Sequence, residues 1–440
     1  MAVVVVLALL CGGFAVLGYV QGPKLSSAQV DTTLVTERPG QQLRLVANQP
    51  LAEVDAADVS VTPAADFTVT TSGSVVAVEF AAPLAYAARY VVEIGGVTNR
   101  VDDQAATLRY EFTTGTPPIF YLDRGDSGDE IVRTTLRGTE RTVVYAAPRI
   151  QQFALLGTAA AAVTTELDDG TSALELVSFD DGGVEPIGLP AAGVVDRLDA
   201  ASDGVTIAFT LTTADGLYND SLLMLNLDQG RDIEPVPALD GTPLRVSTAF
   251  FVPGGVVLAA HDERDEAVVL VDTATGTVTP LGTYTSLDSV STDATRLGVT
   301  NPFGPVSLSI ADLDGTEFAP SPIGGVTPYP GDFQLMRGTA LVQHVVLADY
   351  DANTFLNLFV YDDGEVSREL FRTIDNAGSI GRIRVSPNDQ FAAVEVVPNV
   401  EKSVSDGRLV DPRSTSVTTV VVDISTGSVV QSVAGFDLNW

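Results

Sequence analysis

Cysteine is nearly missing from this chain: Cys11 is the only one in 440 residues, which excludes an intrachain disulfide, a CxxC metal site and a redox pair. The fold must be held by packing alone. Histidine is almost as scarce, with His261 and His344 the only two, and no Gly-x-Ser-x-Gly elbow, HExxH helix, P-loop or dinucleotide fingerprint is present. Basic residues are few as well: 24 Lys and Arg, almost all arginine, face 57 Asp and Glu, for a formal net charge of −33. Nucleic acid and anionic lipid surfaces would repel such a chain, so neither is an expected partner. The acidity serves solubility, and either a GC-rich genome or a salty habitat would give the same arginine bias. Also missing beyond the N-terminus is the i, i+3, i+4 apolar spacing of amphipathic helices, whereas valine, threonine, alanine and glycine abound. That balance predicts an all-β fold. At this length, with about 100 to 200 residues per domain, at least two domains are expected.

The longest apolar run is residues 2–20, AVVVVLALLCGGFAVLGYV. At about 1.5 Å per residue it nearly covers a hydrocarbon core of about 30 Å, so residues 1–22 read as a membrane helix or uncleaved signal anchor. Three alternatives stay open. A cleavable signal peptide ending near Ser26, Ser27 and Ala28 would ordinarily begin with basic residues, which are absent. The true start can also lie upstream of Met1. Lipidation at Cys11 would want a small residue where Leu10 stands. A buried strand pair is disfavoured, because no other stretch of the chain is so apolar for so long. Residues 23–31 then read as a polar spacer.

Residues 32–116 show alternating runs, QLRLVANQPL, VSVTP, FTVTTSGSVVAVEF, RYVVEIGGV and LRYEFTTG, separated by turn residues at sandwich-like intervals. TSGS reads as a hairpin turn between Val69 and Val75, and Tyr90, Val92 and Ile94 share one face opposite Glu93. Through NQPL, VSVTP, PLAYAARYVVEI and the closing YEFTTG, this stretch resembles the bacterial Ig-like domains of S-layer-type and other surface proteins. The resemblance implies a β-sandwich spacer or adhesive module, and TTGTPP, residues 113–118, reads as a short stiff linker behind it.

Residues 117–440 carry an internal repeat. One kind of turn is centred on Gly157, Asp203, Gly254, Asp293, Gly338 and Asn388, at spacings of 46, 51, 39, 45 and 50. A second carries Gly138, Gly182, Gly230, Gly276, Gly315, Gly364 and Gly427, at spacings of 44, 48, 46, 39, 49 and 63. A period in the forties with four short strands per unit predicts a β-propeller. If strands a to d run outward in each blade, the first turn joins a to b and the second joins c to d. Six of the first against seven of the second leave one blade short of its a-to-b turn. The expectation is a seven-bladed propeller in which PIFYLDR, EIVRTTL and RTVVY supply three strands and the terminal GFDLNW the fourth, with Phe436, Leu438 and Trp440 packed among inner strands. A frayed tail bearing a surface tryptophan is the competing reading.

RIRVSPNDQFAAVEV and AASDGVTIAF resemble the blade signatures of TolB-like, WD-type propellers, although the WD dipeptide is absent. The resemblance implies the fold and, by analogy, an envelope-assembly role; it implies no activity, because propellers host many functions. The repeat also resembles the N-terminal part of prolyl-oligopeptidase-type enzymes, whose hydrolase domain has no counterpart in the residues available.

The b-to-c loops should open on one face, and most carry carboxylates, among them Asp123, Asp126 and Asp129; Glu166, Asp168 and Asp169; Asp215 and Asp220; Asp262, Glu263, Asp265 and Glu266; and Asp349 and Asp351. NPFGP breaks this pattern, and a long loop at about 397–417 adds Glu401, Asp406 and Asp411. Asp349, Asp351 and Asn353 have the alternating oxygen-ligand spacing of a calcium loop, without the following glycine and distal glutamate of an EF-hand. Calcium is thus the one cofactor to weigh. Against it, aspartate is a common turn former, and solvated turns account for the same residues. The RGD at Arg124–Asp126 reads as coincidence. With no catalytic constellation, the functional expectation is a monomeric binding or scaffold protein. Anchored in the cell membrane by a single pass with its bulk extracytoplasmic, it would engage a protein or glycan of the envelope. The alternative is a propeller-type hydrolase using carboxylates on glycans or esters.

Overall fold

The computed structural model describes residues 22–100, 104–352, 354–374 and 377–440. Segment 2–20, read above as a membrane helix, lies outside the described residues; among the described residues no helix is long and apolar enough to cross a membrane. The chain divides into two compact units, one ending at Pro117 and the other beginning at Pro118.

In the first unit two antiparallel sheets enclose one core. The first sheet is ordered Leu25–Gln29, Gln42–Ala47, Val75–Phe80, Phe67–Ser72, and the second Val59–Thr62, Arg89–Val97, Ala106–Thr113. Period-two alternation decides which side chains meet: Leu43, Leu45, Val76 and Val78 from one sheet and Val92 and Ile94 from the other are all 0% exposed, while Glu93 faces out. Burying each such side chain contributes roughly 1.5–3 kcal/mol before chain entropy is charged against it. The supposed spacer departs from expectation, because Leu25–Gln29 is a strand paired with Gln42–Ala47. A bulge between Leu25 and Ser27 breaks its alternation and leaves both serines exposed, so no apolar rhythm marks it in the sequence.

The second unit contains seven four-stranded antiparallel sheets among its described residues. Sheets 2 to 7 run a, b, c, d in chain order, with a strands at Ile150–Leu155, Leu198–Ala200, Val246–Phe251, Ser286–Val290, Tyr329–Leu335 and Ser379–Val385. Sheet 1 is different. Its b, c and d strands are Ile119–Gly125, Gly128–Thr134 and Thr142–Ala147, and its a strand is the C-terminal Phe436–Asn439. Phe436 and Leu438 are buried, and Trp440 lies just beyond the strand, half-buried, its ring stacked 6.4 Å from that of Phe391.

Each sheet buries its faces against its neighbours. Ala162 and Leu174 of sheet 2 share a core with Ile207 and Phe209 of sheet 3; Val342 and Phe359 of sheet 6 share one with Ala392 and Val394 of sheet 7. Sheets 1 and 2 meet through Phe120, Leu122, Phe153 and Val163. Central strands therefore lose the alternation of the first unit: Thr206–Leu211 is buried at every position.

The a-to-b turns explain the period. Their left-handed position is held by Gly157, Gly204, Gly254 and Gly338, and by Ala294 and Asp389 in sheets 5 and 7. The preceding Asp203, Asp293 and Asn388 accept hydrogen bonds from the backbone N–H two residues on, at 2.9, 3.2 and 3.2 Å. These side chains fix the turn whichever residue follows. Gly298 has a different role, since a Cβ there would sit 2.3 Å from Ser289 Oγ and 2.5 Å from Phe333 Cε2. Gly298→Ala is expected to destabilise the second unit by about 1–3 kcal/mol through overpacking between sheets 5 and 6. Urea denaturation checks this, and an unchanged midpoint would mean the two sheets are not so tightly apposed.

Candidate functional site

Because a, b, c and d alternate in direction, every b-to-c and d-to-a connection leaves its sheet at one end, and every a-to-b and c-to-d turn at the other. The two ends differ in chemistry. Leu167, Leu217, Phe303 and Tyr350 are exposed in b-to-c loops, Leu239 and Ile374 in d-to-a connections, and Tyr329 at the start of the a strand of sheet 6. Phe303 is 88% exposed and Ile374 81%. At the other end Leu313 and Val366 are exposed in c-to-d turns, while among the described residues no large apolar side chain is exposed in an a-to-b turn. Exposed apolar groups thus occur at both ends, but they are more numerous at the b-to-c end and include every exposed aromatic of the described residues, which marks that end as the candidate interaction surface.

The carboxylates of that face are mostly occupied. Asp169 accepts from the Thr171 N–H and hydroxyl, Asp215 from the Leu217 N–H and Thr213 hydroxyl, and Asp262 from the Arg264 N–H. These hydrogen bonds to the charged form hold Asp169 and Asp215 below the usual carboxylate range. Asp123 pairs with Arg141, Glu166 with Arg149, and Glu263 with Arg245. Asp349 Oδ1 accepts from the Asp351 and Ala352 N–H groups at 3.1 and 3.0 Å, a turn-forming arrangement, and Asn353 lies outside the described residues. Among the described residues no group of three or more His, Cys, Asp or Glu side chains is placed to hold a metal ion.

Residues 398–417, the b-to-c connection of sheet 7, form an ordered strap. Asn399 caps a short 3-10 turn at Val400–Lys402, a bridge joins Ser405 to Ser414, and Asp406 Oδ1 accepts from the Arg408 and Arg413 N–H groups. The strap is fastened to sheet 1 by two ion pairs. Arg124 Nη1 lies 2.6 Å from Asp406 Oδ2, and Arg408 Nη2 lies 2.7 Å from both oxygens of Asp129, whose side chain is 0% exposed. Arg124 also donates to the carbonyls of Ile150, Gln151 and Asp411, so the RGD tripeptide does not present its arginine. Its guanidinium and that of Arg413 lie 4.8 and 5.2 Å from the Phe436 ring centroid.

Burial, only partly opposed by Arg408 and the Ile150 N–H, pushes Asp129 above the ordinary carboxylate range and lowers Arg408. Asp406 goes the other way: burial pushes it up, but Arg124 and the two strap N–H groups outweigh that and hold it low.

A second charged group lies where sheets 7 and 1 meet. Arg382, Arg384, Glu395, Thr419 and Asp437 line a cavity of about 10 Å³. Glu395 accepts from the Asp437 N–H at 3.1 Å, and burial pushes its carboxyl up. Such a space suits one water and no sugar ring.

The histidines are held inside sheets. His261 Nδ1 and Ser247 Oγ are 2.7 Å apart while Nε2 meets the Tyr284 carbonyl at 2.7 Å, so Nε2 carries the proton and Nδ1 accepts from serine. A carbonyl stands where a triad would place its carboxylate. His344 Nε2 bonds Asn357 Oδ1 at 2.8 Å.

Sequence reasoning overlooked an aromatic group at the tip of sheet 6. Tyr350 is 69% exposed, its hydroxyl bonds that of Tyr329 at 2.8 Å, and its ring meets Phe355 edge-on at 6.0 Å. The signal was a tyrosine between two turn aspartates in ADYDAN, where the carboxylates alone drew notice.

Successive four-stranded antiparallel sheets packed face to face define a β-propeller-type protein in an all-β chain. No protein-family model and no curated protein sequence matches it. Among solved structures it is similar to the β-propeller domain of the Trilobed protease from Pyrococcus furiosus, at 8% identity over 80% of this chain and 93% of that one, with TM-score 0.45. It is also similar to TolB from Acinetobacter baumannii, at 13% identity over 72% and 81%, with TM-score 0.38. An oligogalacturonate lyase in complex with manganese shows 10% identity over 88% and 98%, with TM-score 0.46. At these similarities the likenesses carry no argument about activity, and the architecture rests on the strand order itself.

Proposed function

We propose that this chain is an extracytoplasmic binding protein, held at the cell membrane by residues 2–20, in which an Ig-like sandwich carries a seven-bladed closed propeller. The b-to-c face of the propeller engages a protein or glycan of the envelope. The observation that carries the reading is the display of Phe303, Tyr350, Leu217 and Ile374, with every exposed aromatic of the described residues, on a face whose carboxylates are mostly committed to turns and arginines. Closure of the ring is supported by the C-terminal strand of sheet 1, which touches sheet 7 through Trp440 on Phe391 and through the Thr419 hydroxyl on the Gly435 carbonyl at 2.8 Å.

The hydrolase reading needs two carboxylates flanking room for a substrate. Glu395 and Asp437 share a cavity of only about 10 Å³ together with two arginines, which favours binding over hydrolysis.

The test is crosslinked capture from intact envelope with the full chain as bait, with calcium or with chelator. A saturable partner whose yield falls on substituting Phe303 and Ile374 by serine is the expected result, and the chelator arm reports whether Asp349 and Asp351 matter through a cation. Absence of a partner in both arms, with turnover in a glycan or ester screen, would overturn the reading in favour of hydrolysis. Protease shaving of intact cells should release the propeller. Its survival beside a cleaved surface control would overturn the outward orientation.

A further inference from the structure

Resting on that reading of the b-to-c face, we infer that the partner presents a cationic, apolar polypeptide segment, received by the aromatic tip of sheet 6. The b and c strands there, Leu341–Asp349 and Thr354–Asp362, have nine residues each, where those of the other sheets have six or seven. At about 3.4 Å per residue the hairpin extends roughly 7–10 Å further than its counterparts. At its end Asp349 accepts two backbone N–H groups of the turn, and Asp349 pairs with Thr354 in register. The Tyr329–Tyr350 hydroxyl bond and the Tyr350–Phe355 edge contact then fix three rings in mutual orientation.

Three features select the occupant. First, the rings are exposed at the end of a paired hairpin, and exposed aromatics are the ready anchors of polypeptide interfaces. Second, unpaired charge beside the rings is acidic, since Arg372 at the end of the d strand of the same sheet is paired with Glu369. Between Arg296 and Arg368 the only Lys or Arg is Arg337, which sits beside an a-to-b turn at the opposite end and pairs with Asp389. Asp332, Asp349 and Asp351 flank the rings with no cation beside them in the sequence. Ring faces bordered by carboxylates attract guanidinium and ammonium groups. Third, the tyrosine hydroxyls bond each other, which uses one of their two O–H donors and leaves a single donor here for a sugar's hydroxyls. Apolar neighbours on the same face, Phe303 and Ile374, ask the partner for apolar side chains between its cations.

The test is calorimetric titration of the full chain with an alternating Arg-Leu peptide, its Glu-Leu counterpart and a soluble maltooligosaccharide, at low and high salt. The Arg-Leu peptide is expected to bind saturably and to weaken with salt. Tyr350→Ala with Phe355→Ala, which leaves the net charge unchanged, should weaken it about tenfold. Asp351→Asn should weaken it and flatten the salt dependence, whereas Asp180→Asn, in a c-to-d turn at the far end, should do neither. Should the double variant melt early, Tyr350→Phe keeps the ring, loses only the hydroxyl bond and is expected to retain binding. Equal binding of the Glu-Leu peptide or the saccharide, or wild-type affinity in the double variant, overturns the assignment. Envelope capture separates this failure from that of the broader reading. One partner captured equally by wild type and double variant overturns the sheet 6 site and leaves the face intact, and no partner for wild type overturns both.

Discussion

Phe436→Ala is expected to lower the stability of the second unit by about 3–5 kcal/mol, a penalty at the upper end for a single core truncation. The side chain is 2% exposed although its strand has only four residues. It fills space among Phe120, Leu122 and Phe153, and two guanidiniums lie against its ring. Alanine would leave a cavity that a short, terminal strand cannot collapse around without losing its pairing to Leu122. The chain supplies its own reporter: Trp440 is the only tryptophan and stacks on Phe391 of sheet 7, so its fluorescence follows this seam during urea unfolding. A midpoint fall in tryptophan fluorescence together with circular dichroism is the expected result. A shift in fluorescence alone, with the bulk transition unmoved, would show the strand to be an appendage. Gly435→Ala tests the same seam from the backbone side, because Gly435 has φ +143° and a Cβ would lie 2.7 Å from the Leu122 carbonyl and from Tyr121 Cδ2.

That seam was legible because its signals are local: an alternating apolar end segment, and turn residues whose count left one connection over. The first-unit strands could be read for the same reason, since Tyr90, Val92 and Ile94 alternate with their polar neighbours and the sheet keeps one face wet. What stayed hidden depends on residues far apart in the chain. Arg124 meets Asp406 and Arg408 meets Asp129 across about 280 positions, and nothing near either partner distinguishes a buried ion pair from a solvated charge. The acidic loops were over-read for a related reason: an aspartate that accepts its own turn's N–H looks, in sequence, the same as one that faces a ligand. The aromatic tip fell between these cases, because tyrosine in a turn has no period to betray it and only the pairing of Tyr329 with Tyr350 makes it a surface.

Arg408→Ala is expected to cost about 3–5 kcal/mol, and the reason lies in what it leaves behind rather than in what the pair contributes. Asp129 would remain fully buried, accepting the backbone N–H groups of Ile150, at 2.8 Å, and Gly125, with its principal counter-charge gone. Even with Arg408 present, burial dominates both partners, raising the acid and lowering the base, so the pair does not recover its own desolvation. Asp129→Asn combined with Arg408→Met should therefore regain most of the loss, since the amide oxygen still accepts from Ile150 and no uncompensated charge is buried. The pH dependence gives the sign. A carboxyl raised in the folded state favours folding below its unfolded pKa, and that advantage fades as pH rises through the folded value. Removing Arg408 raises Asp129 further, so the penalty should be greatest near neutral pH and shrink in acid as the orphaned carboxylate takes up a proton. Asp406 opposes this trend in both proteins, because its lowered carboxyl stabilises above its unfolded pKa and ceases to do so as pH falls through the folded one; it cancels when variant and wild type are compared at each pH. A penalty constant across pH, or one growing in acid, would mean that Asp129 is not the group Arg408 neutralises. The pair of Arg124 with Asp406 would then be the ion pair that fastens the strap to sheet 1.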